Sequence, residues 1–407
     1  MIIKIVLIFS FILEKIFDFI LVKLNDSYVK KPLPDNVKDI YDDEKYNKWI
    51  NYRNDCKKLS AVETLVSSVF MLAFLVFNLH ARIFYLFDIN LYVNYILFIL
   101  IFVVFESIIS FPFEYYQNFT IEEKYGFNKS TKKTFFLDTV KSMLINMVLM
   151  FLLFLTIMFL FEKFGNYAIL FTCILVILFN IAVAVFSMPI MRIFNKFTPL
   201  ENGELRTSLM SLCEKYNVQV KNIYIMDASK RTTRANAFCT GLSKRKTISL
   251  DDNLVNNYTT NQIVAIFAHE FGHAKYKHIF RSLWFSFFRI IILIIALGII
   301  LNFPSICEAF GFKEINYYFA FSSLSMMSWP ISKLFDFVSN AISRKFEYQA
   351  DAFAAKEGYG EELISGLKKL CADALTNLNP HPFIVKMEYS HPTLSQRIDA
   401  IRKSADK

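Results

Sequence analysis

Residues 140–161 read VKSMLINMVLMFLLFLTIMFLF, with Lys141 as their single charge. An apolar run of roughly 18 residues or more is long enough, as a helix, to cross a bilayer core of about 30 Å. Six further runs of this kind lie around it, at approximately 2–24, 61–82, 91–112, 166–190, 282–303 and 315–338. The expected fold class is therefore mostly α, built on a seven-helix transmembrane bundle. The first run carries Glu14, Lys15 and Asp18 within its length, which suits an amphipathic or bundle-facing helix better than a lipid-exposed one. That interruption, and the lack of an A-x-A-like cleavage site, argue against reading it as a removed signal peptide.

Composition agrees. Of 407 residues, 55% are hydrophobic and only 20% charged, and 45 Phe stand against 10 Gly and 10 Pro, too apolar for a soluble surface or for disorder. Cys56, Cys173, Cys213, Cys239, Cys307 and Cys371 form no C-x-x-C pair and are too sparse for a disulfide scaffold. With seven spans, the segments 25–60, 113–139, 191–281 and 339–407 fall on one side and hold most of the Lys and Arg, while the opposite loops offer little beyond Lys163 and Lys313. By the positive-inside rule those four segments are expected in the cytoplasm. The net charge of +9 is then a consequence of topology, so the expected partner is a lipid bilayer and no nucleic acid. In that compartment Cys56, Cys213, Cys239 and Cys371 are expected to be reduced thiols.

The chain divides into a membrane region at 1–190, a catalytic segment at 191–281, two spans at 282–338 and a second catalytic segment at 339–407. Tyr216 to Ala228, Ala235 to Gly241 and Lys246 to Leu250 read as strands of a small antiparallel sheet. Thr259 and Gln262 have capping-box spacing and open a helix expected to run to about His278. Residues 341–356 and 361–378 read as further helices.

The Thr259 helix contains His269, Glu270, Phe271, Gly272 and His273, an H-E-x-x-H sequence. Residues at i and i+4 share a face, so both imidazoles can meet one Zn2+ per chain while Glu270, one position round, serves as general base. A catalytic zinc needs a third ligand. His278, nine residues past His269, would lie about 180° round a continuous helix and face away. The metzincin pattern fails at Tyr276 and Ile279. In SRKFEYQAD (343–351), Glu347 and Asp351 share a face: Glu347 is the candidate third ligand, Asp351 the acceptor for a ligating ring N–H. Ala350, Ala352, Ala354 and Ala355 leave room for close helix packing.

HEFGH and SRKFEYQADAFA, together with IEEKYGFN (121–128), SKRTTRANAF (229–238) and YSHPTLSQR (389–397), resemble the zinc-dependent, type I CAAX prenyl proteases, integral membrane metalloproteases of the gluzincin type. The resemblance implies zinc ligation by His269, His273 and Glu347, water activation by Glu270, and Asp351 behind a ligand. It also implies Asn236, with Ala237 and Phe238, on an edge strand lining the substrate groove, and His391 and Arg397 near the substrate or transition state. Read on its own, H-P-x-L-x-x-R would equally suit a capped helix start.

The implied fold places seven helices around an intramembrane chamber, compatible with Asn78, His80, Glu106, Asn146 and Asn180 inside the spans. The implied activity is endoproteolysis near the C-terminus of CAAX-type, prenylated peptides or proteins. The sequence ends KSADK without a dilysine retrieval signal and its non-cytoplasmic loops are short, so the compartment is either a bacterial plasma membrane or the endoplasmic reticulum and inner nuclear membrane. A quality-control zinc protease of the HtpX type is the alternative enzyme, disfavoured by the span count and IEEKYGFN. A transporter would show internal repeats and an inactive scaffold would lack a ligand or base; neither description fits.

Overall fold

The structure is a computed structural model that describes residues 1–87, 89–217, 219–240 and 245–405, without the side chains of 219–221, 239–240 and 245–246. The long helices are α1 (Ile2–Tyr28), α2 (Asp43–Val76), α3 (Leu91–Tyr116), α4 (Lys132–Phe164) and α5 (Ala168–Val185). Among the described residues four strands follow: β1 (Phe197–Pro199), β2 (Gln219–Met226), β3 (Ala237–Thr240) and β4 (Arg245–Asp251). The chain then builds α6 (Thr260–Lys275), α7 (His278–Leu301), α8 (Tyr317–Ala354), α9 (Gly360–Asp373) and α10 (Leu394–Ala405).

Helix starts coincide with side chains able to accept from orphan backbone N–H groups. Asp42 caps α2, Asn90 caps α3, Thr131 caps α4 and Asn316 caps α8. Among the described residues four helical stretches are long and apolar enough to cross a membrane: Asp43–Val76, Leu91–Glu122, Lys132–Val185, which joins α4 and α5, and His278–Leu301. Only 11–22% of their most apolar windows is buried within the protein, so Leu152, Leu178, Phe288 and Ile295 point outward, as lipid-facing residues do. The chain is an integral membrane protein.

The expected seven spans overlap α1 to α5, α7 and α8, with 61–82 and 166–190 running past the helix ends at Val76 and Val185, but α1 and α8 are not among the four stretches, so the count of seven is not borne out. Both helices carry charge, and each finds partners on a neighbouring helix. Lys333 of α8 lies 3.0 Å from Asp18 of α1, Asp336 lies 2.8 Å from Arg289 of α7, and Ser10 donates to the Met326 carbonyl at 2.8 Å. Polar groups at this depth are tolerated because they meet one another instead of lipid.

The sheet has the order β1-β2-β4-β3 and is mixed, not antiparallel throughout as expected. β2 and β4 are parallel, while β1 pairs antiparallel with β2 and β3 antiparallel with β4. After β2 the chain crosses to the far edge to lay down β3 and then returns between the two, which sets β4 parallel to β2. β1 escaped the sequence reading because three residues, one of them Pro199, carry no alternation. Strand β2 begins at Gln219, three residues later than expected, and Gly241, expected to end the second strand, lies outside the described residues.

Two apolar cores hold the molecule. One, in the membrane region, is rich in aromatic rings and includes Tyr95, Phe98, Phe102, Phe310 and Phe319. The other, around the sheet and α6, includes Ile223, Ile248, Phe267, Phe271, Phe353 and Ile398. Of the polar residues expected within spans, His80 is buried and stacked on Phe102, Asn78 accepts from Lys4 Nζ at 2.7 Å, and Asn180 bonds back to Val176 of its own helix. Asn146 instead lines a cavity of about 1020 Å³, together with Glu114, Asp138, Arg231 and Arg234.

Candidate metal centre

Helix α6 opens on a reciprocal capping box, with Thr259 and Gln262 each satisfying the other's backbone N–H. Two turns further on, its buried face meets α8. A Cβ on Gly272 would stand 3.0 Å from the Cα of Ala350, so hydrogen at this position lets the two backbones approach. The approach brings three side chains together. His269 Nε2 and His273 Nε2 lie 3.1 Å apart, and the Glu347 carboxylate is 3.4 Å from the first and 3.2 Å from the second.

These donors suit a zinc ion. Ligands at zinc distances of about 2.0–2.1 Å in a tetrahedral arrangement are separated by about 3.3 Å, the edge length found here. His269 and Glu347 are buried, His273 is partly so, and Glu347 Oε2 has no aligned hydrogen-bond partner among the described residues. Two imidazole nitrogens and an orphaned carboxylate oxygen aimed at one point are groups that lack only a cation. Burial works against the Glu347 carboxylate, but His269, His273 and His391 outweigh it and hold the group well below the usual carboxylate range.

The other ring nitrogen of His269 is 2.8 Å from Asp351 Oδ1. Asp351 is fully buried and its charge is met by Arg397, whose Nη2 donates to Oδ1 at 2.6 Å and Nε to Oδ2 at 2.9 Å. Against burial, Arg397 and His269 keep Asp351 ionised by lowering its pKa. Arg397 is itself buried and stands behind the ligands, with Nη1 3.6 Å from Glu347 Oε2. It lies on α10, which the Thr393–Gln396 capping pair opens, so the H-P-x-L-x-x-R segment is a capped helix start that also delivers a site residue.

His391 sits at the exposed mouth of the cluster. Its Nδ1 lies 2.9 Å from Glu347 Oε2 without hydrogen-bond alignment, and it shares with His273, Ser343 and Phe346 the wall of a cavity of about 340 Å³. Glu270 is half-buried, and among the described residues no hydrogen bond or ion pair engages it. Asn236 is exposed just ahead of the edge strand β3. Its carbonyl accepts from Asp251 N at 3.0 Å, and its Oδ1 accepts from Ala237 N at 2.9 Å. Ala237 is buried and Phe238 partly buried.

The expectation that His278 faces away from the metal fails. It assumed one continuous helix, whereas α6 stops at Lys275, Lys277 adopts a left-handed φ of 56°, and α7 begins afresh at His278. The turn swings His278 back, so its Nδ1 lies 3.0 Å from His273 Nδ1 and its Nε2 2.9 Å from Gln349 Oε1. Sequence reasoning also passed over Asp251, a buried carboxyl beside the edge strand whose Oδ1 is unpartnered among the described residues. Burial first, and Asp252 second, push its pKa up to about 7.

Comparison with known proteins adds a second, independent line. Residues 199–405 match a family model described as Peptidase family M48, and residues 25–196 match one described as CAAX prenyl protease N-terminal, five membrane helices. CAAX prenyl protease 1 of Saccharomyces cerevisiae is 35% identical over 268 residues, covering 61% of this chain and 58% of that protein. Probable CAAX prenyl protease 1 of Schizosaccharomyces pombe is 34% identical over 244 residues, 60% of this chain and 52% of that protein. The aligned stretch thus spans just over half the length of these curated relatives. The crystal structure of S. mikatae Ste24p superposes with a TM-score of 0.92 at 28% identity, covering 98% of this chain and 99% of that one.

Proposed function

The chain belongs to peptidase family M48 and carries ahead of its peptidase region the membrane region of the CAAX prenyl proteases, and from that premise we propose that it is a membrane-embedded zinc metalloendopeptidase cutting near the C-terminus of CAAX-type, prenylated peptides or proteins. The observation that carries this reading is the convergence of His269 Nε2, His273 Nε2 and the Glu347 carboxylate at tetrahedral spacing. A zinc ion held there, one per chain, supplies Lewis acidity and lowers the pKa of a water to about 7.

The protein's own groups do the rest. Glu270 projects from the same helix as both histidines and is free of other partners among the described residues, so its carboxylate takes the proton of the attacking water. His391, exposed at the mouth of the site, donates to the carbonyl oxygen as negative charge develops on it. Arg397, locked on Asp351, acts from behind by holding His269 in orientation. Among the described residues β3 has a neighbouring strand on one side only, so an extended peptide adds along Ala237 and Phe238 with Asn236 at its start. The seven long helices enclose the prenylated part of the substrate, and the cavity lined by Asn146, Glu114 and Arg234 belongs to that chamber. The Lys and Arg distribution supports a cytoplasmic position for the catalytic segments.

Glu270→Gln should keep its zinc and fold yet lose cleavage of a farnesylated CAAX peptide by a factor of at least about 10². His273→Ala should lose zinc. Undiminished zinc in His273→Ala by elemental analysis would remove the ligand assignment, and wild-type turnover by Glu270→Gln would remove the base. Equal cleavage of farnesylated and unfarnesylated peptides would narrow the function to a protease indifferent to the lipid.

A further inference from the structure

His278 is one of the most buried polar side chains in the protein, at 2% exposure, and its ring lies parallel to that of Phe346, 4.2 Å away, next to Glu347 in sequence. Stacking alone would suit an apolar residue equally well. What an apolar residue could not do is meet two nitrogen and oxygen partners at once: His273 Nδ1 at 3.0 Å and Gln349 Oε1 at 2.9 Å.

We propose that His278 is a positioning residue for the ligand His273, and that Gln349 ends the hydrogen-bonded chain that sets its direction. This rests on the zinc reading above. Only one proton can lie between two Nδ1 atoms 3.0 Å apart. When His273 gives its Nε2 lone pair to a metal, its proton sits on Nδ1, so His278 must accept there. A neutral His278 that accepts at Nδ1 carries its own proton on Nε2, and that N–H points at the Gln349 amide oxygen. Each link therefore has one orientation compatible with a metal between His269 and His273, and the chain runs from His273 through His278 to Gln349. The Phe346 stack holds the middle ring in the plane that both contacts need. The left-handed turn at Lys277 exists to bring that ring back over its neighbour.

The test uses the full-length protein in detergent, stripped with a chelator and titrated with zinc against a chromophoric competitor, with thermal unfolding of the stripped proteins in parallel. His278→Phe keeps the ring and its stack and removes both nitrogens; zinc affinity should fall about 10- to 100-fold. His278→Asn, whose Oδ1 can accept from His273 Nδ1, should recover most of that loss. Gln349→Met should cost less, because Gln349 is exposed and water can take its place. The stripped variants should unfold within a few degrees of the parent. Affinity of His278→Phe within threefold of the parent overturns the proposal, and so does a His278→Asn protein no better than His278→Phe. Should His278→Phe fail to fold, His278→Ala is read in its place against the same His278→Asn reference. A parent that takes up no zinc overturns the metal reading itself, a result distinct from either.

Discussion

The two flanks of the metal cluster are built on different physics. On the α10 side, His269 leans on Asp351, and Asp351 on Arg397, all of them buried. On the α7 side, His273 leans on His278, and His278 on Gln349, with no formal charge anywhere. An ionised carboxylate can only accept, so Asp351, 2.8 Å from His269 Nδ1, favours the proton on that nitrogen. That preference has a cost: a buried carboxylate survives only with its counterion, and so the charged flank recruits a second helix to supply one. The neutral flank demands no counterion but transmits orientation only while its members are aligned. A small two-residue break between α6 and α7 suffices to build it.

This contrast can be broken most sharply at Arg397. Arg397→Met leaves the buried Asp351 carboxylate without its counterion, with only the His269 ring beside it, and should lower unfolding free energy by about 3–5 kcal/mol, measured by denaturant titration. Adding Asp351→Leu should recover a substantial part, because the stranded charge is gone. His278→Phe should show no such stranded-group cost. If Arg397→Met costs no more than His278→Phe, the two flanks do not differ in the way described.

Asp251 sharpens the comparison from outside the site, being a buried carboxyl whose Oδ1 has no partner among the described residues. Its raised pKa, to about 7, means that the folded protein holds the proton more tightly than the unfolded chain, whose Asp titrates near 3.9. Between those values the folded state binds more protons, so stability falls as pH rises through about 4 to 7. Asp251→Asn should abolish that slope and gain on the order of 4 kcal/mol above pH 7, with no difference from the parent near pH 4. Parallel stability curves for the two proteins would show that Asp251 is already solvated or paired.

The smallest effect is expected at Gly272, which serves both flanks equally. Gly272→Ala gains up to about 1 kcal/mol of helix propensity but forces a methyl to 3.0 Å from the Ala350 Cα, a backbone atom that cannot rotate away. Overpacking of this kind costs about 1–3 kcal/mol, so the net loss should be near 1 kcal/mol. Zinc affinity should fall with it, since α6 and α8 carry the ligands between them. A stabilised variant with unchanged zinc affinity would mean that the helices separate without disturbing the donors.

The chemistry of the site was legible wherever it depended on short-range periodicity. His269 and His273 share a face because 3.6 residues make a turn, and Thr259 with Gln262 marks the helix start because their spacing satisfies two N–H groups reciprocally. Glu347 was reachable by the same periodicity, helped by the small residues that surround it. The apolar runs were legible because a bilayer has a thickness. Where charge interrupts them, as in α1 and α8, hydropathy cannot distinguish a bundle-facing helix from a shorter one, and the Lys333–Asp18 pair that explains the charges joins residues remote in sequence.

The amino-acid sequence by itself determined the i, i+4 spacing of His269 and His273, the place of Glu270 beside them and the mainly helical membrane architecture, because each follows from local geometry or from run length. Only the tertiary structure decided that β4 returns between β2 and β3, that Arg397 pairs with Asp351, and that His278 turns toward His273. The last of these hinged on one lysine in a left-handed conformation, a position where no glycine announced a break. Strand order, counterion choice and ring direction are settled by contacts between segments far apart in the chain, and no pattern of spacing within one segment encodes them.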